Sequence, residues 1–264
     1  MKKVRLDDLL VSRGYAESAR QALAMVMAGQ VLVREERASH VGAIVAPDIE
    51  IRVIAERSFV SRGGYKLDTA LDRFDIDVAG VRAIDIGAST GGFTDVLLKR
   101  GAASVVALDV GYGQLDWSLR SDERVTTLDR TNVKDVDPEG IGAPFDLLVT
   151  DVSFIPLASI AGQLVSLVRG GGDVVALVKP QFELERSAVG ERGVVSDPAA
   201  HIRSIERAVA AFSAAGAGAV SIWFSPITGP EGNIEFLLHA RKGATAPAID
   251  IESVVGRAHR EFGG

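Results

Sequence analysis

The stretch Ala83-Ile84-Asp85-Ile86-Gly87-Ala88-Ser89-Thr90-Gly91-Gly92-Phe93-Thr94 sets the architecture of the chain. An apolar strand ends on an acid, a glycine-rich turn follows, and a helix opens at Phe93. Glycine lacks the Cβ that blocks close approach, so such a turn lets a ligand lie against backbone at a helix start. A second apolar run, Val105-Val106-Ala107-Leu108, ends in Asp109, 24 residues after Asp85. That is the spacing at which a βαβ unit sets an acid against a ribose. The two features together predict an adenosine-containing cofactor.

Working outward, near-continuous apolar runs predict strands over 81–86, 104–109, 124–128, 145–150, 173–178, 218–224 and 234–241. Helical patterns fall over 93–99, 114–119, 156–168 and 198–214, with a further helix from Tyr65 to Phe74 ahead of the first strand and a terminal one within 243–264. Strand–helix alternation with apolar strands indicates an α/β, doubly wound, mostly parallel sheet. The last two strands lack a helix between them and predict an antiparallel hairpin at the sheet edge. Residues 1–55 read as a separate small α+β domain. It has helices over 4–12 (Leu6, Leu9 and Leu10 inward) and 19–28 (Ala19, Ala22, Leu23, Val26 and Met27 inward). Ser18 reads as an N-cap, Gly14 and Gly29 as stops, and 31–33 and 49–53 as strands. Residues 56–64, polar and glycine-rich, read as a linker to the main domain, 65–264.

The chain has 264 residues, a net charge of −6 and no cysteine. Disulfides and thiolate metal sites are excluded, and a reducing cytoplasm is the natural setting. The four histidines have no metal-ligand spacing, so no metal is expected. No signal peptide and no transmembrane run is legible, which speaks against a membrane partner. Residues 1–64 carry a net +2 and the remainder −8. This is a mildly basic head on an acidic body, with Arg5, Arg13, Arg20 and Arg34 as candidate RNA contacts.

The turn is Asp-x-Gly-x-x-x-Gly-Gly rather than the dinucleotide Gly-x-Gly-x-x-Gly. An acid ahead of the first glycine suits an ammonium better than a phosphate, which favours S-adenosylmethionine over a nicotinamide cofactor. Asp85, Gly87, Ala88, Ser89, Thr90, Gly91 and Phe93 are its candidate contacts, with Asp109 on the ribose and Asn132 on the adenine edge. The fourth strand ends in Asp151-Val152-Ser153-Phe154, which brings Asp151 toward the reacting methyl. Asp151 or Ser153 would equally serve as a plain helix cap. Lys179 ends a buried apolar strand, where an unpartnered ammonium is costly, so it is a candidate for acid–base work. A lysine head reaching to the sheet rim is the simpler alternative. Glu235, in Gly232-Asn233-Ile234-Glu235-Phe236, reads as the start of a strand and a partner for a lysine, with Glu231 as its competitor.

Lys66, Asp151, Lys179 and Glu235 together resemble the Lys-Asp-Lys-Glu tetrad of FtsJ-like ribose 2′-O-methyltransferases. More closely, the chain resembles the TlyA family, known both as hemolysins and as rRNA (cytidine-2′-O)-methyltransferases. The stretches that carry the likeness are Ser61–Leu67, Asp85–Thr94, Asp109–Leu115, Arg130-Thr131-Asn132, Asp151–Ile155, Lys179–Glu183 and Gly232–Phe236. The head, through Arg5-Leu6-Asp7-x-Leu9-Leu10, Ser18–Ala22 and Gly29-x-Val31-x-Val33, resembles the small RNA-binding domain of a small-subunit ribosomal protein. Glu35-Glu36 stands where that domain usually has a polar Asn/Asp-Gly hairpin. Arg57-Ser58-Phe59-Val60 resembles the family's interdomain linker, with Phe for the usual Trp.

The resemblance implies a Rossmann-like class I methyltransferase domain, S-adenosylmethionine as cofactor, and rRNA within ribosomal subunits as partner. It casts Lys179 as the central group, flanked by Lys66, with Asp151 and Glu235 orienting the two lysines. Three competing readings are weighed beside it. A non-catalytic RNA-binding factor would not need the tetrad. A membrane-active hemolysin would need an apolar span or a basic amphipathic helix. A base-nitrogen methyltransferase would usually carry an Asn/Asp-Pro-Pro-aromatic loop where this chain has Asp151-Val152-Ser153-Phe154.

Overall fold

The apolar runs pair into one seven-stranded sheet, whose strands lie side by side in the order 217–224, 236–242, 168–178, 145–150, 82–86, 104–108 and 125–128. The strands are β6 (Arg82–Ile86), β7 (Ser104–Leu108), β8 (Val125–Leu128), β9 (Phe145–Thr150), β10 (Val168–Val178), β11 (Ala217–Phe224) and β12 (Phe236–Lys242). The computed structural model describes residues 3–27, 30–34, 36–38, 40–53, 59–245 and 247–262. The chain divides into two units, Met1–Ser58 and Phe59–Gly264. The sheet belongs to the second.

β6 to β10 run parallel, and β12 runs antiparallel to both of its neighbours, β10 and β11. Alternate side chains along each strand enter opposite cores, as the two-residue period requires. Ala83, Val105, Leu147, Val149, Val175 and Leu177 pack under α3 (Gly63–Phe74) and α4 (Gly92–Lys99). Ile84, Ile86, Leu148, Val174 and Ala176 pack under α6 (Ala161–Ser166), α8 (Pro198–Ala214) and α9 (Ile251–Phe262). Burying one large apolar side chain such as Phe212 or Phe236 stabilises by ~1.5–3 kcal/mol. Two such layers make this a doubly wound α/β unit, as expected.

Several boundaries differ from the sequence reading. The helix expected over 156–168 is a 3-10 turn, Leu157–Ser159, followed by the short α6. β10 starts at Val168 because Gly170-Gly171-Gly172 form a bulge, with the register shifting between Val168 and Asp173. The helix expected from residue 114 begins only at Trp117 (α5, Trp117–Arg120), because Asp116 caps it by accepting the Ser118 N–H at 2.9 Å. The terminal hairpin forms, but β12 lies inside the sheet and only β11 is at the edge. β12 therefore has buried residues on both faces from Phe236 to Ala240 instead of alternating. Among the described residues no helix is long and apolar enough to cross a membrane.

In the first unit α1 covers Leu6–Ser12. Val4–Arg5 (β1) pair with Ile44–Val45 (β4) rather than extending that helix. α2 covers Ala19–Met27, and the Gln21 N–H donates to the Ser18 hydroxyl at 3.3 Å, as an N-cap requires. Ala22 and Val26 face the core, whereas Ala19 and Leu23 are exposed. With a helix this short, one packed stripe suffices and the flanking apolar positions stay in solvent. Val31–Val33 (β2) pairs with Glu36–Arg37 (β3) and Ile51–Val53 (β5). Arg34 turns the β2–β3 connection at φ +51°. The stop at Gly29, part of the Glu35-Glu36 pair, and Arg57-Ser58 lie outside the described residues.

Candidate active site

β6 and β9 are neighbours in the sheet, yet β6 leads on to β7 on its other side. Where chain order reverses in this way, the carboxyl ends of the strands splay and leave a crevice. Two cavities open there. One, of about 480 Å³, is lined by Asp109, Gln114, Asn132 and apolar groups including Leu108, Val133 and Ile160. The other, of about 270 Å³, is lined by Lys66, Lys179, Arg62, Phe93 and Thr228. Gly87, Ser89, Asp151 and Ser153 belong to both. At Gly87 (φ +81°) a Cβ would sit 2.9 Å from the Asp151 carbonyl oxygen, so only glycine lets the loops after β6 and β9 meet. At Gly92 a Cβ would sit 2.8 Å from the Gly64 backbone nitrogen. That contact brings the start of α3, and with it Lys66, against the glycine turn.

Asp85 is fully buried and lines neither cavity. Its Oδ2 accepts the Thr94 hydroxyl at 2.7 Å, and its Oδ1 has no hydrogen-bond partner among the described residues. Burial pushes its carboxyl up to about 7; the Thr94 hydrogen bond opposes this and the Asp151 charge adds to it. Asp85 thus holds the start of α4 through Thr94, and the fold brings it to neither cavity wall. Ala88, Ser89, Thr90 and Phe93 line the smaller cavity, while Gly91 caps α4 at φ +95° and lines neither. Asp109 accepts N–H groups from Ser89 at 2.8 Å and Gly111 at 2.7 Å, so it braces two loops while facing the larger cavity. Asn132 Oδ1 accepts the Lys134 N–H at 3.0 Å and caps a 3-10 turn, which leaves its amide NH₂ for a ligand. A cavity of this size with apolar walls, two carboxylates (Asp109 and Asp151) and two side-chain amides (Gln114 and Asn132) suits a nucleoside.

Lys66, Asp151, Lys179 and Glu235 come together from four separate elements. Lys66 Nζ lies 2.6 Å from Glu235 Oε2 and 4.0 Å from Asp151 Oδ2. Lys179 Nζ lies 2.5 Å from Asp151 Oδ1 and donates to Ser153 Oγ at 2.9 Å. Lys66, Lys179 and Glu235 are all at least nine-tenths buried. Burial pushes the Glu235 carboxyl up, and the neighbouring Lys66 charge pulls it back. Glu235 sits one residue before β12 rather than opening it, and its carbonyl is held by the Ser225 N–H at 2.9 Å. Glu231, its competitor, is exposed. Neither Asp151 nor Ser153 caps a helix, since the next 3-10 turn starts after Pro156 with no side-chain cap.

One residue carries a role the sequence did not suggest. Glu183, in α7 (Pro180–Glu183), is buried, and its Oε1 accepts the Leu157 N–H at 2.8 Å. Burial pushes its carboxyl up, against that hydrogen bond. It ties down the far end of the loop after Asp151, where Phe154 is held at φ +67°, exposed and 5.0 Å from the Phe182 ring. Its place in Lys179-Pro180-Gln181-Phe182-Glu183 was visible, but the reach of 26 residues back to Leu157 was not. In the first unit, Arg5 pairs with Asp7 at 2.7 Å, and Arg13 donates to the carbonyls of Pro47 and Ile49, both at 2.7 Å. These two arginines make contacts within their own unit, and all four, Arg5, Arg13, Arg20 and Arg34, are exposed.

This geometry agrees with the comparison to known proteins. Residues 59–242 match the FtsJ-like methyltransferase family and residues 4–51 match the S4 domain. The chain belongs to the TlyA family of FtsJ-like methyltransferases. Within the TlyA family it is 45% identical over 261 residues to the 16S/23S rRNA (cytidine-2′-O)-methyltransferase TlyA of Mycobacterium tuberculosis, covering 98% of this chain and 97% of that one. Hemolysin A of Brachyspira hyodysenteriae is 38% identical, over 89% of this chain and 99% of its own. A solved structure from Streptococcus thermophilus that carries a hemolysin name superposes with a TM-score of 0.77 at 41% identity, over 100% of this chain and 98% of that one.

Proposed function

We propose that this TlyA-family protein methylates a ribose 2′-hydroxyl of ribosomal RNA, at a cytidine within a ribosomal subunit, in the cytoplasm, with S-adenosylmethionine as methyl donor. The observation that carries the reading is the four-residue Lys66–Glu235 and Asp151–Lys179 cluster, in which Lys66 and Lys179 line the smaller cavity and Asp151 lines both. Bound in the larger cavity, S-adenosylmethionine supplies an electrophilic methyl group on a sulfonium. Asp109 and Asn132 would hold its nucleoside, and the glycine-turn residues Gly87 and Ser89, which line both cavities, would border it. Lys179, gripped by Asp151, hydrogen-bonds the acceptor hydroxyl and in its amine form takes the hydroxyl proton. Asp151 is in turn steadied by Lys66, and Lys66 by Glu235. Most of the rate gain comes from alignment, because the methyl donor is already reactive. Recognition of folded RNA falls to the first unit, where a net charge of only +2 over residues 1–64 favours shape over bulk charge attraction. The hemolysin names of some relatives have no counterpart in a membrane-spanning helix among the described residues.

The test is methyl transfer from radiolabelled S-adenosylmethionine to ribosomes and isolated subunits from a strain lacking the enzyme, with the modified nucleotide mapped by resistance to alkaline cleavage. Label fixed as an alkali-resistant ribose methyl supports the reading and names the subunit. No label on any particle, with S-adenosylmethionine still bound, replaces it with a non-catalytic RNA-binding role.

A further inference from the structure

We propose that Ser153 is a positioning residue for Lys179 and the outlet for the proton that the acceptor hydroxyl gives up; this rests on the 2′-O-methyltransferase reading above. Methyl transfer breaks one C–S bond and forms one C–O bond. The 2′-hydroxyl proton passes to the Lys179 amine, which must shed it to water before the next turnover. Lys179 has two close side-chain partners, Asp151 Oδ1 at 2.5 Å and Ser153 Oγ at 2.9 Å. An ionised carboxylate only accepts hydrogen bonds, so Asp151 can partner Lys179 only in its ammonium form and has nothing to donate to it as an amine. A hydroxyl both donates and accepts. Ser153 accepts from the ammonium and, by rotating its O–H, donates to the amine lone pair, so it keeps Nζ in place on both sides of the proton transfer.

The surroundings favour the same route. Lys179 is 9% exposed and Glu235 2%, and Glu235 is further closed off by Lys66. Ser153 is exposed and lines both cavities. Of the two partners of Lys179 it is the more exposed, since the Asp151 side chain is only partly accessible. As Oγ takes the proton from Nζ it releases its own hydrogen to water, and the balance closes with no further reactant. The backbone around Ser153 is set independently of the hydroxyl, by Asp151 N–H on the Ile86 carbonyl at 3.1 Å and Leu157 N–H on Glu183 at 2.8 Å. Removing the hydroxyl accordingly leaves the loop in place.

The experiment compares Ser153→Ala and Ser153→Thr with the unchanged chain. It measures steady-state methyl transfer to rRNA as a function of pH, and S-adenosylmethionine affinity by calorimetry, with Lys179→Ala as control. Ser153→Ala is expected to keep cofactor affinity and to leave KM for rRNA within about twofold, while kcat falls about tenfold or more, the scale of one hydrogen bond to a charged group. Its loss should deepen toward low pH, where shedding the proton limits turnover. Ser153→Thr, which restores a hydroxyl, is expected to recover kcat to within about threefold. A Ser153→Ala kcat equal to that of the unchanged chain beside an inactive Lys179→Ala overturns the role of Ser153 alone. So does equal impairment of the Ala and Thr variants, or a loss that resides in KM. Turnover retained in Lys179→Ala overturns the underlying reading instead.

Discussion

Replacing Lys66 by Met removes the positive half of a buried pair and leaves a side chain of similar length. Lys66 Nζ and Glu235 Oε2 are 2.6 Å apart, and the two residues are 7% and 2% exposed. Stranding one charge of such a pair costs about 3–5 kcal/mol. The variant's cost must depend on pH in a defined sense. Burial already raises the Glu235 carboxyl, and Lys66 is the first influence opposing it, so the variant raises it further. A carboxyl whose folded pKa lies above its unfolded value binds more protons when folded, and stability falls as pH climbs from the unfolded value through the folded one. The deficit of Lys66→Met is therefore full well above neutrality and shrinks as pH drops toward 4–5, the ordinary range of an unfolded glutamate. Urea unfolding followed by tryptophan fluorescence reads this directly, because both tryptophans, Trp117 and Trp223, lie in the Phe59–Gly264 unit. With a slope of about 2–3 kcal/mol per molar urea, the midpoint should fall by about 1–2.5 M at pH 8 and by less than half of that at pH 5. A deficit below about 1 kcal/mol at pH 8, or one equal at both pH values, would refute the reasoning.

Four further outcomes are expected. Lys179→Ala should lower methyl transfer by about 10²–10⁴-fold, the usual weight of a positioned acid–base group, with S-adenosylmethionine affinity by calorimetry nearly unchanged; retained turnover removes Lys179 from the chemistry. Asp85, raised to about 7 by burial, makes the folded chain gain stability as pH falls from 7 toward 4, with a ceiling of ~4 kcal/mol. Asp85→Asn should abolish that gain in pH-dependent urea titrations, and an unchanged slope would contradict it. Glu183→Ala frees the Leu157 N–H and should raise KM for rRNA several-fold, whereas Glu183→Gln, which still accepts that N–H, should stay close to normal; the argument fails if both variants behave alike. Removal of residues 1–56 should spare cofactor binding and eliminate rRNA methylation, and a truncated chain that methylates normally would put recognition in the second unit.

How much was legible follows the range of the interactions involved. The Asp85–Thr94 turn, the spacing to Asp109 and the apolar strands were readable because helix caps, glycine turns and the two-residue period are local. The short α6 and the early start of β10 were not, since a bulge at Gly170-Gly171-Gly172 depends on pairing with β9. Leu23 sits at a helical spacing that suggests burial, yet it is 42% exposed. The partners of Arg5 and Arg13 within their own unit, the Asp7 carboxylate and the Pro47 and Ile49 carbonyls, become visible only once the chain is folded.

The sequence by itself determined the class of the protein. It specifies a parallel α/β sheet, a glycine turn beside a buried acid, a lysine at the end of an apolar strand, and a separate small N-terminal module, because each is written in contiguous residues. Tertiary structure alone decided which charges meet. Lys66 and Glu235 are 169 residues apart in the chain and 2.6 Å apart in space. Ser153 reaches Lys179 across 26 positions, and Glu183 reaches Leu157 across another 26. Such contacts follow from strand order, which places β6, β9 and β10 side by side and carries β12 back along β10. That order is selected by burial of both faces of the sheet at once, a property of the whole chain that no single segment contains.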